Sequence, residues 1–426
     1  MAKIKILIVG MCDSIHIARW ISNLKMTDWD VRVFSSSNNP LFHPDLNSTI
    51  VYSTAKFRNR FQKKGSSGFG VMSDALFKFL TGSNVIARMI RLAIKLIFPS
   101  KRMSITRRLE KVIQSFNPDI IHSMETQEAG YLVLETKRHL TDGNFPPWLH
   151  TNWGSDIYLF GKLSKHAPKI REVLTECDYY SCECKRDVVL AQKYGFSGGI
   201  LPVLPNSGGF DLASLRILRE ACLPCSQRRS ILVKGYQGWA GRAFCAIRAL
   251  SRAKDVLNGY SVYIYSNNTD DMKIAAELLA TEANIPVIVL EQKLPHLEML
   301  KLHGRARISI GLSISDAIST SFLESLVMGS FPIQSWTSSA DEWITDGEGG
   351  ILVPPEDPEI VERALRRAIS DDDLVDKAMN INWHIVENRL DNEKIRRLII
   401  RNYKSILDKS LEKDCWLKEG LGALGD

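Results

Sequence analysis

Two short stretches in the second half of the chain hold residues that could grip a phosphate ester. Lys234 follows Ile231-Leu232-Val233, which places it at the C-terminal end of a strand. Gly235, Gly238 and Gly241 then allow close backbone approach, and Arg242 opens the next helix. A cation at a strand tip, glycines and a helix start carrying Arg are the parts of a phosphate site. Their spacing is neither a P-loop nor a GxGxxG fingerprint, so ATP and NAD are not indicated. A solvated Lys and Arg flanking a turn is the plain alternative.

The second stretch runs from Asp316 to Glu324 and reads DAISTSFLE. Asp316 belongs to the loop after a strand. Ser319, Thr320 and Ser321 are natural helix-capping residues, and the N–H groups of that helix start favour an anion. Glu324 lies about one turn further on, where its carboxylate suits bidentate bonding to vicinal hydroxyls such as those of a ribose. An ordinary capped helix with an exposed Glu would share this pattern.

The elements that must carry these residues alternate along the chain. Lys3–Val9 reads as a buried parallel strand, His16–Leu24 as a helix and Asp30–Ser35 as a strand. Pro118–His122, Trp148–Thr151 and Tyr179–Cys182 are further strands, and Gly130–Arg138 is a helix. A second series starts near Ser230. Its strands are Ser261–Ser266, Ile285–Leu290, Ala306–Ser313 and Ser330–Ser335, and its helices are Ala240–Ser251, Met272–Ala283, Leu297–His303, Thr320–Met328 and Asp357–Ala368. Repeated β–α units imply a parallel sheet with helices on both faces, and two series imply two doubly wound domains. Ligands of such domains sit at the C-terminal strand ends. The Pro-, Gly- and Asn-rich segment Pro202–Asp211 reads as the junction. The fold class is therefore α/β: two Rossmann-like domains facing a cleft, over 1–205 and 206–380, with a charged helical tail over 381–426 that packs back on the first.

The totals agree. A chain of 426 residues exceeds one ordinary core, and 45% hydrophobic with 24% charged residues is a globular composition. The formal net charge of +7 fits phosphate handling or an anionic membrane without choosing between them. No apolar stretch is long enough to span a bilayer, and Lys3–Val9 alternates like a strand rather than a signal peptide. The expected location is the cytoplasm. Cys182, Cys184, Cys222 and Cys225 could in principle ligate zinc, but CxC is an unusual half-site and no His lies nearby, so they read as buried or surface thiols.

One insertion, about 56–110, breaks the rhythm. Lys56, Arg58, Arg60, Lys63 and Lys64 interleave with Phe57 and Phe61, and in Asn84–Phe98 the cations Arg88, Arg91 and Lys95 share one narrow helical face. That suits an interfacial helix on anionic lipid or a core helix with one solvated stripe. The first reading makes about 56–102 a peripheral contact at the inner membrane face. No nucleic-acid module is evident.

Asp316–Pro332 (DAISTSFLESLVMGSFP) resembles the nucleotide-sugar site of retaining GT-B glycosyltransferases of the family-4, group 1 type. Gly347–Leu365 resembles that family's closing segment. SIHIARW (14–20), PDIIH (118–122), NWGSD (152–156) and LPNSGGFD (204–211) are similar to its N-domain and linker landmarks. The resemblance implies that Asp316 touches donor-sugar hydroxyls, that Glu324 binds the ribose, and that Lys234 and Arg242 hold the diphosphate. It also implies that Gly10 and the loop to His16 border acceptor and phosphates. His122, Glu125, Asn152 and Asp156 are candidates for lining the cleft. Three departures stand out: Asp replaces the usual first Glu, Lys and Arg come in reversed order, and Met124 holds a position where some relatives have His.

The implied reaction moves a hexose-type sugar from a nucleoside-diphosphate sugar, a UDP-sugar in the first instance, to a glycan or lipid-linked acceptor in polysaccharide or cell-envelope biosynthesis, with retention. No DxD-like carboxylate pair is placed to hold a metal against a diphosphate, so no metal or other cofactor is expected. A nucleotide-sugar epimerase and a non-catalytic nucleotide- or glycan-binding partner are the alternatives.

Overall fold

The structure is a computed structural model that describes residues 3–37, 42–52, 105–140, 145–292 and 294–408. The basic stretch 56–64 and the amphipathic stretch 84–98, on which the membrane reading rests, lie outside the described residues. Among the described residues no helix is long and apolar enough to cross a membrane.

The first sheet is built from β1 (Lys5–Gly10), β2 (Asp30–Ser35), β3 (Ile50–Tyr52), β4 (Ile120–Met124), β5 (Trp148–Thr151), β6 (Tyr179–Ser181) and β7 (Gly199–Ile200). These seven strands pair in the order β3-β2-β1-β4-β5-β6-β7, all in parallel. Successive side chains of β1 serve opposite faces. Ile6 and Ile8 pack with Ile17, Trp20 and Ile21 of the helix Ile15–Leu24, whereas Leu7 and Val9 pack with Leu109, Ile113 and Val133. That double burial explains the unbroken apolar run read from the sequence.

The second sheet contains β8 (Ser230–Lys234), β9 (Ser261–Tyr265), β10 (Val287–Val289), β11 (Ile308–Gly311), β12 (Phe331–Ser335) and β13 (Ile351–Val353), in the order β10-β9-β8-β11-β12-β13. In each sheet the strand order reverses beside the first strand, at β1/β4 and at β8/β11. Crevices for ligands open at such reversals. Lys234 ends β8, and the loop carrying Asp316 follows β11, so one reversal point holds both.

The helix expected over 240–251 begins later, at Ala243. Gly241 bridges to Ser313, and the Arg242 N–H donates to Leu312 O at 3.0 Å, which ties these two residues to the end of β11 instead of the helix. Cys182 lies in the core of the first domain and Cys225 in that of the second, so the two cysteine pairs do not form one cluster.

The chain crosses between domains twice. Phe210 bridges to Asp391 where the outgoing and returning segments meet. The helix Asp372–Arg389 packs on the second domain, through Val375 and Ala378, and the helix Asn392–Leu407 returns to the first, where Ile395, Ile399, Tyr403 and Ile406 are buried. The Tyr403 hydroxyl accepts from Trp20 Nε1 at 2.9 Å and lies 2.6 Å from His122 Nδ1. The other ring nitrogen, Nε2, is hydrogen-bonded with Thr151 Oγ1 at 2.7 Å. Burial pushes the His122 pKa down to about 3, so the ring is neutral.

The domains also meet directly. The Glu342 carboxylate accepts the N–H groups of Lys185 (2.8 Å) and Arg186 (3.0 Å), which begin the helix Lys185–Lys193. Arg186 reaches across to Thr337 O at 3.0 Å.

Replacing Tyr403 by Phe removes the partner of two buried groups at once. The expected loss is roughly 1–3 kcal/mol of stability, read as a lower urea midpoint, and an unchanged midpoint would show the three-residue network to be inert.

Candidate functional site

A cleft of about 1270 Å³ lies between the C-terminal strand ends of the two sheets, lined from the second domain by Lys234, Asp316, Thr320, Ser321 and Glu324. Lys234 Nζ donates to Ser319 Oγ at 3.1 Å, and Ser319 Oγ lies 2.9 Å from Ser321 Oγ. The strand-tip cation and the start of the helix Thr320–Met328 are therefore adjacent. No side chain caps that helix. Its first turn offers N–H groups and the positive end of the dipole to the cleft, beside a Lys that has no ion pair among the described residues.

Glu324 is buried, with Oε1 held by His296 Nε2 at 2.9 Å and Oε2 lying 3.7 Å from His303 Nε2. Burial pushes His303 down to about 4, leaving it neutral, and its Nδ1 bonds the Ser309 hydroxyl at 3.0 Å. His296 lines the cleft and stacks on Phe210 at 6.0 Å. The sequence reading missed it: it begins the helix His296–Arg305, and nothing in its own stretch joins it to Glu324.

The first domain supplies His16, Arg19, Glu125, Asp156 and Glu183. Glu125 adopts φ 86°, a left-handed conformation that a non-glycine residue keeps only when its surroundings impose it. Its carboxylate accepts from the N–H groups of Gln127 (2.5 Å), Glu128 (2.8 Å) and Ala129 (3.1 Å), which holds the turn after β4. Asp156 Oδ2 accepts from Thr126 N at 2.9 Å and Trp153 N at 2.7 Å, tying that turn to the loop 152–156. Burial pushes Glu125 up to about 7 against those three N–H bonds. Asp156 is raised by burial and then by the charge of Glu125.

His16 faces the cleft against the Trp153 ring, 5.3 Å away, and its buried Nδ1 has no hydrogen-bond partner. Burial, with Arg19 next, lowers it to about 4, so it is neutral at pH 7. Glu183 follows β6 and accepts from Asn206 N at 2.6 Å; burial pushes it up to about 8, and the charge of Asp316 adds to this. A carboxyl directly between Cys182 and Cys184 drew no attention from the sequence, because the cysteines on either side did.

Several residues expected at the site lie elsewhere. Arg242 turns away from the cleft and pairs with Glu356 at 2.7 Å, because the bonds of Gly241 and Arg242 to the end of β11 direct its side chain outward. Gly235, Gly238 and Gly241 do not line the cleft; at Gly241 a Cβ would stand 2.0 Å from Tyr236 O, so the missing side chain folds the loop on itself. Gly10 lies beneath the helix Ile15–Leu24, where a Cβ would meet Ile17 Cδ1 at 2.6 Å. His122 and Asn152 are fully buried. The Asn152 amide donates to Asp187 Oδ2 at 2.8 Å and accepts from the Tyr180 hydroxyl. Ser319 touches the cleft only through Lys234 and Ser321.

Residues 74–182 match the family model described as Glycosyl transferase 4-like, and residues 245–382 match that described as Glycosyl transferases group 1. No curated protein matches the chain. Among solved structures, a sucrose-phosphate synthase from Thermosynechococcus elongatus is similar at TM-score 0.65 and 14% identity, over 96% of this chain and 100% of that one. A glycosyltransferase from Rickettsia africae gives 0.64 at 15% identity over 96% and 99%. HepE of Anabaena, solved with UDP and glucose, gives 0.64 at 12% identity over 94% and 100%. These likenesses show the fold, two Rossmann-like domains in the GT-B arrangement.

The raised Glu183 pKa has a sign. The folded chain holds that proton between the ordinary value of 4.5 and about 8 while the unfolded chain loses it, so this group withdraws stability as pH rises through that window. Glu183→Gln keeps an acceptor for Asn206 and removes the titration. Its melting temperature should gain on the native chain at pH 8.5 and not at pH 4.5, and an equal change at both pH values would refute the shift.

Proposed function

We propose that this chain, whose glycosyl transferase 4-like and glycosyl transferases group 1 domains close on one cleft, is a GT-B glycosyltransferase that takes its sugar from a nucleoside-diphosphate sugar. One observation carries the reading: Lys234 and the uncapped start of the helix Thr320–Met328 meet at the strand-order reversal. Breaking the anomeric C–O bond leaves negative charge on the departing diphosphate. A fixed ammonium and fixed N–H donors stabilise that charge without reorganising. Glu324, steadied by His296, takes the ribose hydroxyls, and Asp316 the hydroxyls of the transferred sugar. The donor is a UDP-sugar, a reading supported by similar structures solved with UDP and UDP-glucose.

The finer assignments belong to the same proposal. The sugar is hexose-type, the anomeric configuration is retained, and the acceptor is a glycan or lipid-linked glycan of a polysaccharide or envelope pathway on the cytoplasmic side of a membrane. Lys234 and the helix start supply the positive charge, so the reaction runs without a metal. The domains are apposed across the cleft, as exclusion of water from the donor requires.

Lys234→Ala should lower transfer about 100-fold or more while leaving the melting temperature near that of the native chain. Near-normal turnover would sink the phosphate assignment. A panel of UDP-, GDP- and ADP-sugars in a thermal-shift assay identifies the donor, and EDTA should leave turnover with that donor unchanged.

A further inference from the structure

We infer that Arg19 is a second ligand for phosphoryl groups in this cleft, reaching them from the N-terminal domain while Lys234 reaches them from the C-terminal one. The inference rests on the nucleoside-diphosphate reading above and adds a residue to it.

Arg19 belongs to the helix Ile15–Leu24, which Ser14 caps by accepting from His16 N at 3.1 Å, directly after β1 and so at the strand reversal of the first sheet. His16 and Arg19 are three residues apart and share a helical face, and both line the cleft. Across the cleft His16 feels Asp316 and Lys234, and Arg19 feels Glu324. The helix therefore lies over the donor pocket of the opposite domain.

Among the described residues the Arg19 guanidinium has neither an ion pair nor a hydrogen bond. Other partly buried arginines are tied: Arg242 to Glu356, Arg186 to Asp187, Arg366 to Asp255 and Glu362. Among the described residues Arg19 and Lys234 are the arginine and lysine side chains that line the cleft, and neither faces a carboxylate within ion-pair distance. A partly buried guanidinium that has lost water and gained no partner is costly, and the cost is recovered when an anion arrives. The guanidinium fork matches two oxygens of one phosphate, whereas the ammonium acts as a point charge. The inferred site thus combines the two cations with the N–H groups of the Thr320 helix start, all on the lining of one cleft. Arg242, the cation expected from sequence to share this task, is engaged on the outside by Glu356. Because Arg19 and Lys234 belong to different domains, a bound phosphoryl group also links the domains.

The phosphoryl group is either the donor pyrophosphate or a phosphate carried by the acceptor, and calorimetry on the full chain separates the two. The titrants are inorganic pyrophosphate; UDP, GDP and ADP; their nucleosides; and inorganic phosphate added to diphosphate-saturated protein. Arg19→Gln should weaken pyrophosphate and the preferred nucleoside diphosphate by roughly 10–100-fold and leave the nucleoside unchanged, with Arg19→Lys recovering part of the loss. If the diphosphate holds its affinity while inorganic phosphate loses it in the saturated protein, the acceptor is the source. Unchanged binding of all three phosphate probes in Arg19→Gln overturns the inference. The ligand-free variant should melt at or above the native temperature, since an unpartnered charge is removed; a clear fall with phosphate binding intact would mark Arg19 as structural and overturn it too. If the native chain binds none of the nucleoside diphosphates, the functional reading fails, while the pyrophosphate and phosphate titrations still report on Arg19.

Discussion

Lys185 and Arg186 begin a helix in the N-terminal domain, and both of their backbone N–H groups end on the Glu342 carboxylate of the C-terminal domain. A helix start left bare would carry unpaired donors and an uncompensated dipole end, so this carboxylate sets how closely the domains approach. The contact reaches further. Arg186 pairs with buried Asp187 at 2.9 Å, Asp187 holds the Asn152 amide, and Asn152 begins the loop that carries Trp153 and Asp156 to the cleft wall. Gly154 of that loop approaches the other domain so closely that a Cβ there would stand 2.4 Å from Asp316 Oδ1. Domain apposition and the shape of the first-domain wall of the cleft are thus one arrangement.

Among the described residues the cleft lining holds more carboxyl groups than lysines and arginines. Burial changes the sum. Glu125, Asp156 and Glu183 are all pushed toward the protonated form, and two of them are bound by backbone N–H groups that hold turns in place. His16 and His303 are pushed the other way and stay neutral. Arg19 and Lys234 stand as cations beside the charges of Asp316 and Glu324, in a partly buried site where such fields are weakly screened.

The architecture was legible because parallel strands buried on both faces read as apolar runs, as in Ile6–Val9 and Ile231–Val233, and because the helix Thr320–Met328 announces its start with three hydroxyl residues. The strand-tip rule also placed Lys234 correctly over the cleft. The directions of side chains beyond the tips were not legible. Arg242 has the right type next to the right glycines, yet two backbone bonds to the neighbouring strand end turn it toward Glu356. His122 sits at a strand end in the sequence, but its partner Tyr403 lies 281 residues away, on a helix whose return to the first domain left no local mark on β4. Arg19 resembled any cation on an amphipathic helix. Among the described residues it is set apart by being partly buried on the cleft wall without a partner.

The returning helix Asn392–Leu407 gives the chain an unusual order of assembly. Ile395, Ile399, Tyr403 and Ile406 are core residues of the first domain, yet they are synthesised after the whole of the second. Until they emerge from the ribosome, the Trp20 and His122 nitrogens lack their hydroxyl and one face of β1 stays partly bare. The half of the protein that is made first is consequently finished last, and the second domain completes its own core, from Ile231 to Ala378, while its partner is still waiting.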